Sequence, residues 1–74
     1  MTPAEVAVLT ALSPDRTLTA AQVQLAATLT TWRTRNALAH LESRGLIVPS
    51  HPRGRWQITP RGRAALTSKA SRFR

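Results

Sequence analysis

A chain of 74 residues without cysteine is expected to form one small domain, with no disulfide framework and no thiolate metal site. No apolar run approaches the ~20 residues that span a bilayer, and no basic-then-apolar signal segment opens the chain, so a cytoplasmic protein with no membrane partner is expected. The net charge of +8 is unevenly placed, −1 over residues 1–31 and +9 over residues 32–74, which implies a surface facing a polyanion, nucleic acid first.

Thr2-Pro3-Ala4-Glu5 predicts a helix start, with Thr2 as cap, Pro3 at the first helical position and Glu5 closing a capping box. Val6, Leu9 and Leu12 follow at helical spacing, and Ser13-Pro14-Asp15 ends this helix, over 3–12. Arg16-Thr17-Leu18 reads as a short extended segment. Thr19-Ala20-Ala21-Gln22 is a second capping box, opening a helix over 20–27 with Val23, Ala26 and Ala27 on its apolar face. After the turn Thr28-Leu29-Thr30, Thr30 can cap a third helix over 31–44, which Gly45 ends in the left-handed conformation that glycine tolerates. Two short helices joined by so brief a turn meet the requirement of a helix-turn-helix.

Leu46-Ile47-Val48 is a β-like run, and Arg55-Trp56-Gln57-Ile58 alternates with Trp56 and Ile58 on one inner face. The turn formers Pro49-Ser50-His51-Pro52-Arg53-Gly54 lie between them, so a hairpin with a loop of about five residues is expected. Thr59-Pro60 starts a last helix over 60–70 with Ala64, Ala65 and Leu66 inward, and Ser71 to Arg74 is expected to fray. The expected fold is mainly α with a small β-hairpin: a three-helix core, a two- to three-stranded wing and a C-terminal helix, all in one domain over 1–74.

This order, with "ALAHLESRGLI" at 37–47 and "WQITPRGRAAL" at 56–66, resembles the winged helix-turn-helix of bacterial and phage regulators of the MarR and PadR type. Such proteins show a similar Leu-x-x-Leu-x-x-x-Gly-Leu-Ile segment, a hairpin, and then a second motif matched here by Ile58, Thr59, Gly62 and Leu66. The resemblance implies double-stranded DNA as partner, with the helix over 31–44 in the major groove and a wing over 48–58 on the backbone or in the minor groove. Three features differ from those families. The chain has no long flanking dimerisation helices, the turn 27–30 lacks its usual glycine, and the hairpin lacks an acidic-basic pair at its tip.

On the third helix Thr34, Ala37, Leu38 and Leu41 face inward at 100° per residue, leaving Trp32, Arg33, Asn36 and His40 outward with Arg35 and Ser43 near the edges. Arg33 and Arg35 suit guanine O6 and N7, and Asn36 suits adenine N6 and N7. The free amides around Thr30 and Thr31, with the helix dipole, suit a phosphate. The competing account is a solvated helix face, with Trp32 packed under the wing or on the second helix. Arg53, Gly54 and Arg55 form a wing suited to the backbone or a narrow minor groove, or merely a charged hairpin that protects a sheet edge. Arg61 and Arg63 in the last helix, with Lys69, Arg72 and Arg74 beyond them, are phosphate-clamp candidates or solubilising charges.

Three acids in three separate elements, two histidines and no tyrosine give no converging catalytic set. No metal spacing or glycine-rich phosphate loop is present, so no enzyme, cofactor or small-molecule ligand is expected. Three functions stay open. The first is a sequence-specific regulator, working as a homodimer on a two-fold site or with another protein. The second is an architectural DNA binder with little sequence preference. The third is a protein-interaction winged helix using Trp32, Leu29 and Phe73.

Overall fold

The computed structural model describes the backbone of residues 1–71 and side chains as far as Thr67. The elements run α1 (Pro3–Leu12), β1 (Thr17–Thr19), α2 (Ala20–Ala27), α3 (Thr31–Ser43), β2 (Ile47–Ser50), β3 (Arg55–Ile58) and α4 (Pro60–Ser71). The last helix runs one residue past its expected end, and Ser71, expected to fray, is helical. The rest of the expected frayed end and the side-chain contacts of Lys69, Arg72, Phe73 and Arg74 fall outside what the structure describes.

Local chemistry starts the first two helices as expected. Thr2 and Glu5 exchange hydrogen bonds at the head of α1, and Thr19 and Gln22 do the same at α2, so each capping box answers two orphan amides. Thr30 caps α3 by accepting the Arg33 N–H at 3.2 Å. The end of α3 is a Schellman turn: Leu46 N–H donates to the Leu41 carbonyl at 2.9 Å and Gly45 takes φ +74°. The end of α2 closes in the same way, from Leu29 N–H to the Gln24 carbonyl, but there the left-handed residue is Thr28, at φ 56°. The turn that lacks its glycine therefore keeps the glycine's backbone conformation.

The three strands form one antiparallel sheet in the order β1-β3-β2, with Leu18 opposite Trp56 and Ile47 opposite Ile58. Pro49 and Ser50 lie within β2, opposite Trp56 and Arg55, rather than in the loop. The sheet order gives the reason. β2 is an edge strand, and a proline without an N–H is tolerated there. The loop is accordingly shorter than expected, from His51 to Gly54.

The core joins Val8, Leu9 and Leu12 of α1, Val23 of α2, Ala37, Leu38 and Leu41 of α3, and Ile47 and Ile58 of the sheet. Trp56 packs half-buried against it. Three expectations are corrected. In α1 the buried stripe is Glu5, Val8, Leu9 and Leu12, while Val6 is only half-buried, because the i, i+3, i+4, i+7 face is centred one residue pair away. Ala26 of α2 and Ala64 of α4 are exposed. The inward face of α4 is instead Gly62, Ala65 and Leu66, again at i, i+3 and i+4.

Thr59 fastens α4 to the rest. Its hydroxyl lies 2.8 Å from the Gly45 carbonyl and 3.0 Å from that of Leu46, and it accepts the Gly62 N–H at 3.1 Å. Gly62 is buried so closely that an added Cβ would press into the Leu46 carbonyl oxygen and lie 2.7 Å from Ile58 Cγ1. The Ile58-Thr59-x-x-Gly62 motif is thus a docking joint between the end of α3, β3 and α4.

Candidate nucleic-acid interface

Core packing fixes how α3 presents its other side. Thr34, Ala37, Leu38 and Leu41 are buried, and the Thr34 hydroxyl donates back to the Thr30 carbonyl at 2.8 Å. With that stripe inward, helical geometry sets Trp32, Asn36 and Ser43 at the middle of the outward face. Arg33 and His40 lie on the flank toward α1, and Arg35 lies on the flank that includes Thr31. Trp32 is 75% exposed, Asn36 is half-buried, and Arg33, Arg35 and His40 are exposed. The indole therefore packs neither under the wing nor onto α2.

Both ends of this face are braced. Thr31 Oγ1 lies 3.3 Å from Gln24 Oε1, joining the head of α3 to α2. The Thr30 hydroxyl already takes the Arg33 amide, one of the orphan amides considered for a phosphate. On the α1 flank, the carboxylate of Glu5 sits beside His40 and Arg44, with Oε2 3.7 Å from His40 Nδ1 and Oε1 3.9 Å from Arg44 Nη1. Burial pushes this carboxyl up. The Thr2 backbone N–H, Arg44, the Thr2 side chain and His40 outweigh burial and hold it below its ordinary value. Glu5 Oε2 is buried with no hydrogen-bond partner among the described residues.

Sequence reasoning gave Glu5 only its capping role. Its place at i of the i, i+3, i+4, i+7 stripe with Val8, Leu9 and Leu12 is the signal that it also faces α3. Between the head of α1 and α3 runs an open groove of about 490 Å³, whose walls include Pro3, Glu5, Trp32, Arg33, Asn36 and His40.

The wing arginines part company. Arg53 and Gly54 are exposed in the loop, with Gly54 at φ +90°. Arg55 belongs to β3, is half-buried, and reaches 3.5 Å back to the Thr17 carbonyl. His51 is exposed at the start of the same loop. In α4, Arg63 Nη1 lies 3.4 Å from the Pro14 carbonyl. The Arg61 guanidinium lies over Gly45, at the C-terminal end of α3, where the helix dipole favours a cation. Among the described residues no acidic or histidine cluster could hold a metal ion, and no helix is long and apolar enough to cross a membrane.

Four helices and a small three-stranded antiparallel sheet, with the third helix following the second through a tight turn, make a winged helix-turn-helix of the MarR type. Two solved structures show it directly. The chain is similar to BpsR of Bordetella bronchiseptica, whose DNA binding is regulated by 6-hydroxynicotinic acid. The TM-score is 0.87 at 26% identity, over 96% of this chain and 53% of that one. It also matches the fold of the MarR family transcriptional regulator SPO1453 from Silicibacter pomeroyi DSS-3, with a TM-score of 0.78 at 19% identity, over 96% of this chain and 52% of that one. The chain thus spans about half the length of the structures it matches. No protein-family model and no curated protein matches it.

Proposed function

We propose that this chain is the DNA-reading unit of a transcriptional regulator, with α3 in the major groove and the β2–β3 wing against the backbone or minor groove. The observation that carries the reading is the face of α3 itself. A core-locked helix presents an exposed Trp32, Arg33 and Arg35, with Asn36 beside them, at its N-terminal end, within the half of the chain that carries +9. In a helix-turn-helix those first turns meet the base edges. Thr30, Thr31, Arg53 and Gly54 serve the phosphates, and Arg33, Arg35, Asn36 and His40 the bases. Arg55, Arg61 and Arg63 are partly engaged by the protein's own carbonyls and helix end, so they contribute chiefly to the positive field.

A single module of this kind buries only ~600–1,000 Å² on DNA. Useful selectivity is therefore assigned to two copies on a two-fold site. Regulation by a small molecule, the property described for BpsR, has a place to act here: a ligand in the groove beside Trp32 would share Arg33, Asn36 and His40 with the DNA.

The test is selection from random duplexes at ~150 mM salt with Arg33→Ala as control. A sharp motif that blurs in the variant supports a sequence reader. Binding without a motif makes the chain an architectural DNA protein, and no binding even at low salt removes the DNA reading.

A further inference from the structure

We infer that Trp32 reads the C5-methyl group of thymine, and that this thymine lies within one base step of the adenine held by Asn36. The inference rests on the DNA reading above and adds what the site recognises. Trp32 is 75% exposed on the second residue of α3, outside the core that holds the helix in place. An indole left in water at this position forgoes burial worth several carbon groups, so the folded chain alone gives it no reason to be there. Arg33 and Arg35 stand on either flank of it, both exposed, on a helix within the half of the sequence that carries +9, so a polyanionic surface suits this face. A duplex major groove offers one apolar group on its base edges, the thymine methyl, and apolar side chains meet it there.

Spacing sets the register. Trp32 and Asn36 are four residues apart on one helix face, with Cβ atoms about 5–6 Å apart. Neighbouring base pairs are ~3.4 Å apart along the duplex. With the Asn36 carboxamide on adenine N6 and N7, the indole falls on the methyl of that same pair or of the next one. The indole lines an open groove together with Pro3 and Ala37.

The experiment uses the full chain and the duplex selected from a random pool. Each thymine is replaced singly by deoxyuridine, which removes the methyl and nothing else, and affinities are measured at fixed salt. One position within a step of the preferred adenine should lose about fourfold, the value of one buried carbon group. Trp32→Ala should bind both duplexes equally, and Trp32→Leu should keep part of the preference. Thermal unfolding of both variants should match the parent, since the side chain is exposed. DNA binding with no methyl-sensitive position, methyl sensitivity only more than one step from the preferred adenine, or a preference that survives Trp32→Ala overturns the inference while leaving the DNA reading intact. Failure to bind any duplex at low salt overturns both.

Discussion

The carboxylate of Glu5 in α1 lies 3.7 Å from Nδ1 of His40 in α3, so a residue that opens one helix also touches the helix that faces outward. Its other oxygen accepts the Thr2 N–H at 2.8 Å. The carboxyl titrates lower in the folded chain than in the unfolded one, so the unfolded chain binds more protons between the two values. Its contribution to stability is complete above the ordinary value of 4.5 and is lost as pH falls through the lower folded value. Glutamine can still close the capping box but carries no charge for His40 and Arg44. We expect Glu5→Gln to cost about 1 kcal/mol at neutral pH, with the gap to the parent narrowing between neutral and acid pH as the medium falls below 4.5. Urea unfolding at both pH values checks this, and a gap that ignores pH would leave Glu5 as a cap alone.

Thr28 supplies a second test. Its φ of 56° is unfavourable for a β-branched residue, yet the α2 end copies the Schellman turn that Gly45 makes after α3. Left-handed backbone costs an ordinary residue roughly 1–2 kcal/mol, and glycine gives back about 0.5–1 kcal/mol through its freer unfolded chain. Thr28→Gly should therefore stabilise the protein by about 0.5–1 kcal/mol, raising the melting temperature by about 2–8 °C. No rise would mean that the exposed threonine makes compensating interactions in the turn.

The difference between those two positions also marks what the sequence disclosed. Capping boxes, the Gly45 stop and the outward face of α3 are local, set by residues three or four apart, and they were readable. Glu5 against His40, the extension of β2 through Pro49, and the return of Arg55 to Thr17 depend on which elements become neighbours. No spacing within one segment encodes that. Gly62 stood out as a motif residue, but its reason, a backbone approach to Leu46, appears only when α4 docks on the end of α3.

That approach predicts a sharp loss. In Gly62→Ala the new methyl would meet the Leu46 carbonyl and Ile58, both held in place by the Thr59 hydrogen bonds and the sheet. Overpacking of this kind costs about 1–3 kcal/mol, and rigid backbone on one side sets the upper end. Thr59→Val keeps the shape and removes the hydroxyl, costing about 1–2 kcal/mol through the lost α4 cap. Chemical denaturation measures both, and a neutral Gly62→Ala would show that α4 can slide away from Leu46 without loss.

The wing and the outward helix face should fail in different ways, and salt separates them. Arg53 is exposed beside Gly54, in a loop no longer than four residues, with only the phosphate backbone or a narrow groove for its proposed partner. Arg53→Ala should weaken all duplexes alike and flatten the dependence of log K on log salt by about one unit from a parent slope of about −4 to −5. Arg33→Ala should instead cost about 1–3 kcal/mol on the preferred site alone and relax the choice at one base pair. Titrations at several salt concentrations, on preferred and scrambled duplexes, read both quantities together. If Arg53→Ala changed base preference and Arg33→Ala changed only the slope, the roles of wing and helix would be exchanged, and the reading element would be the hairpin rather than α3.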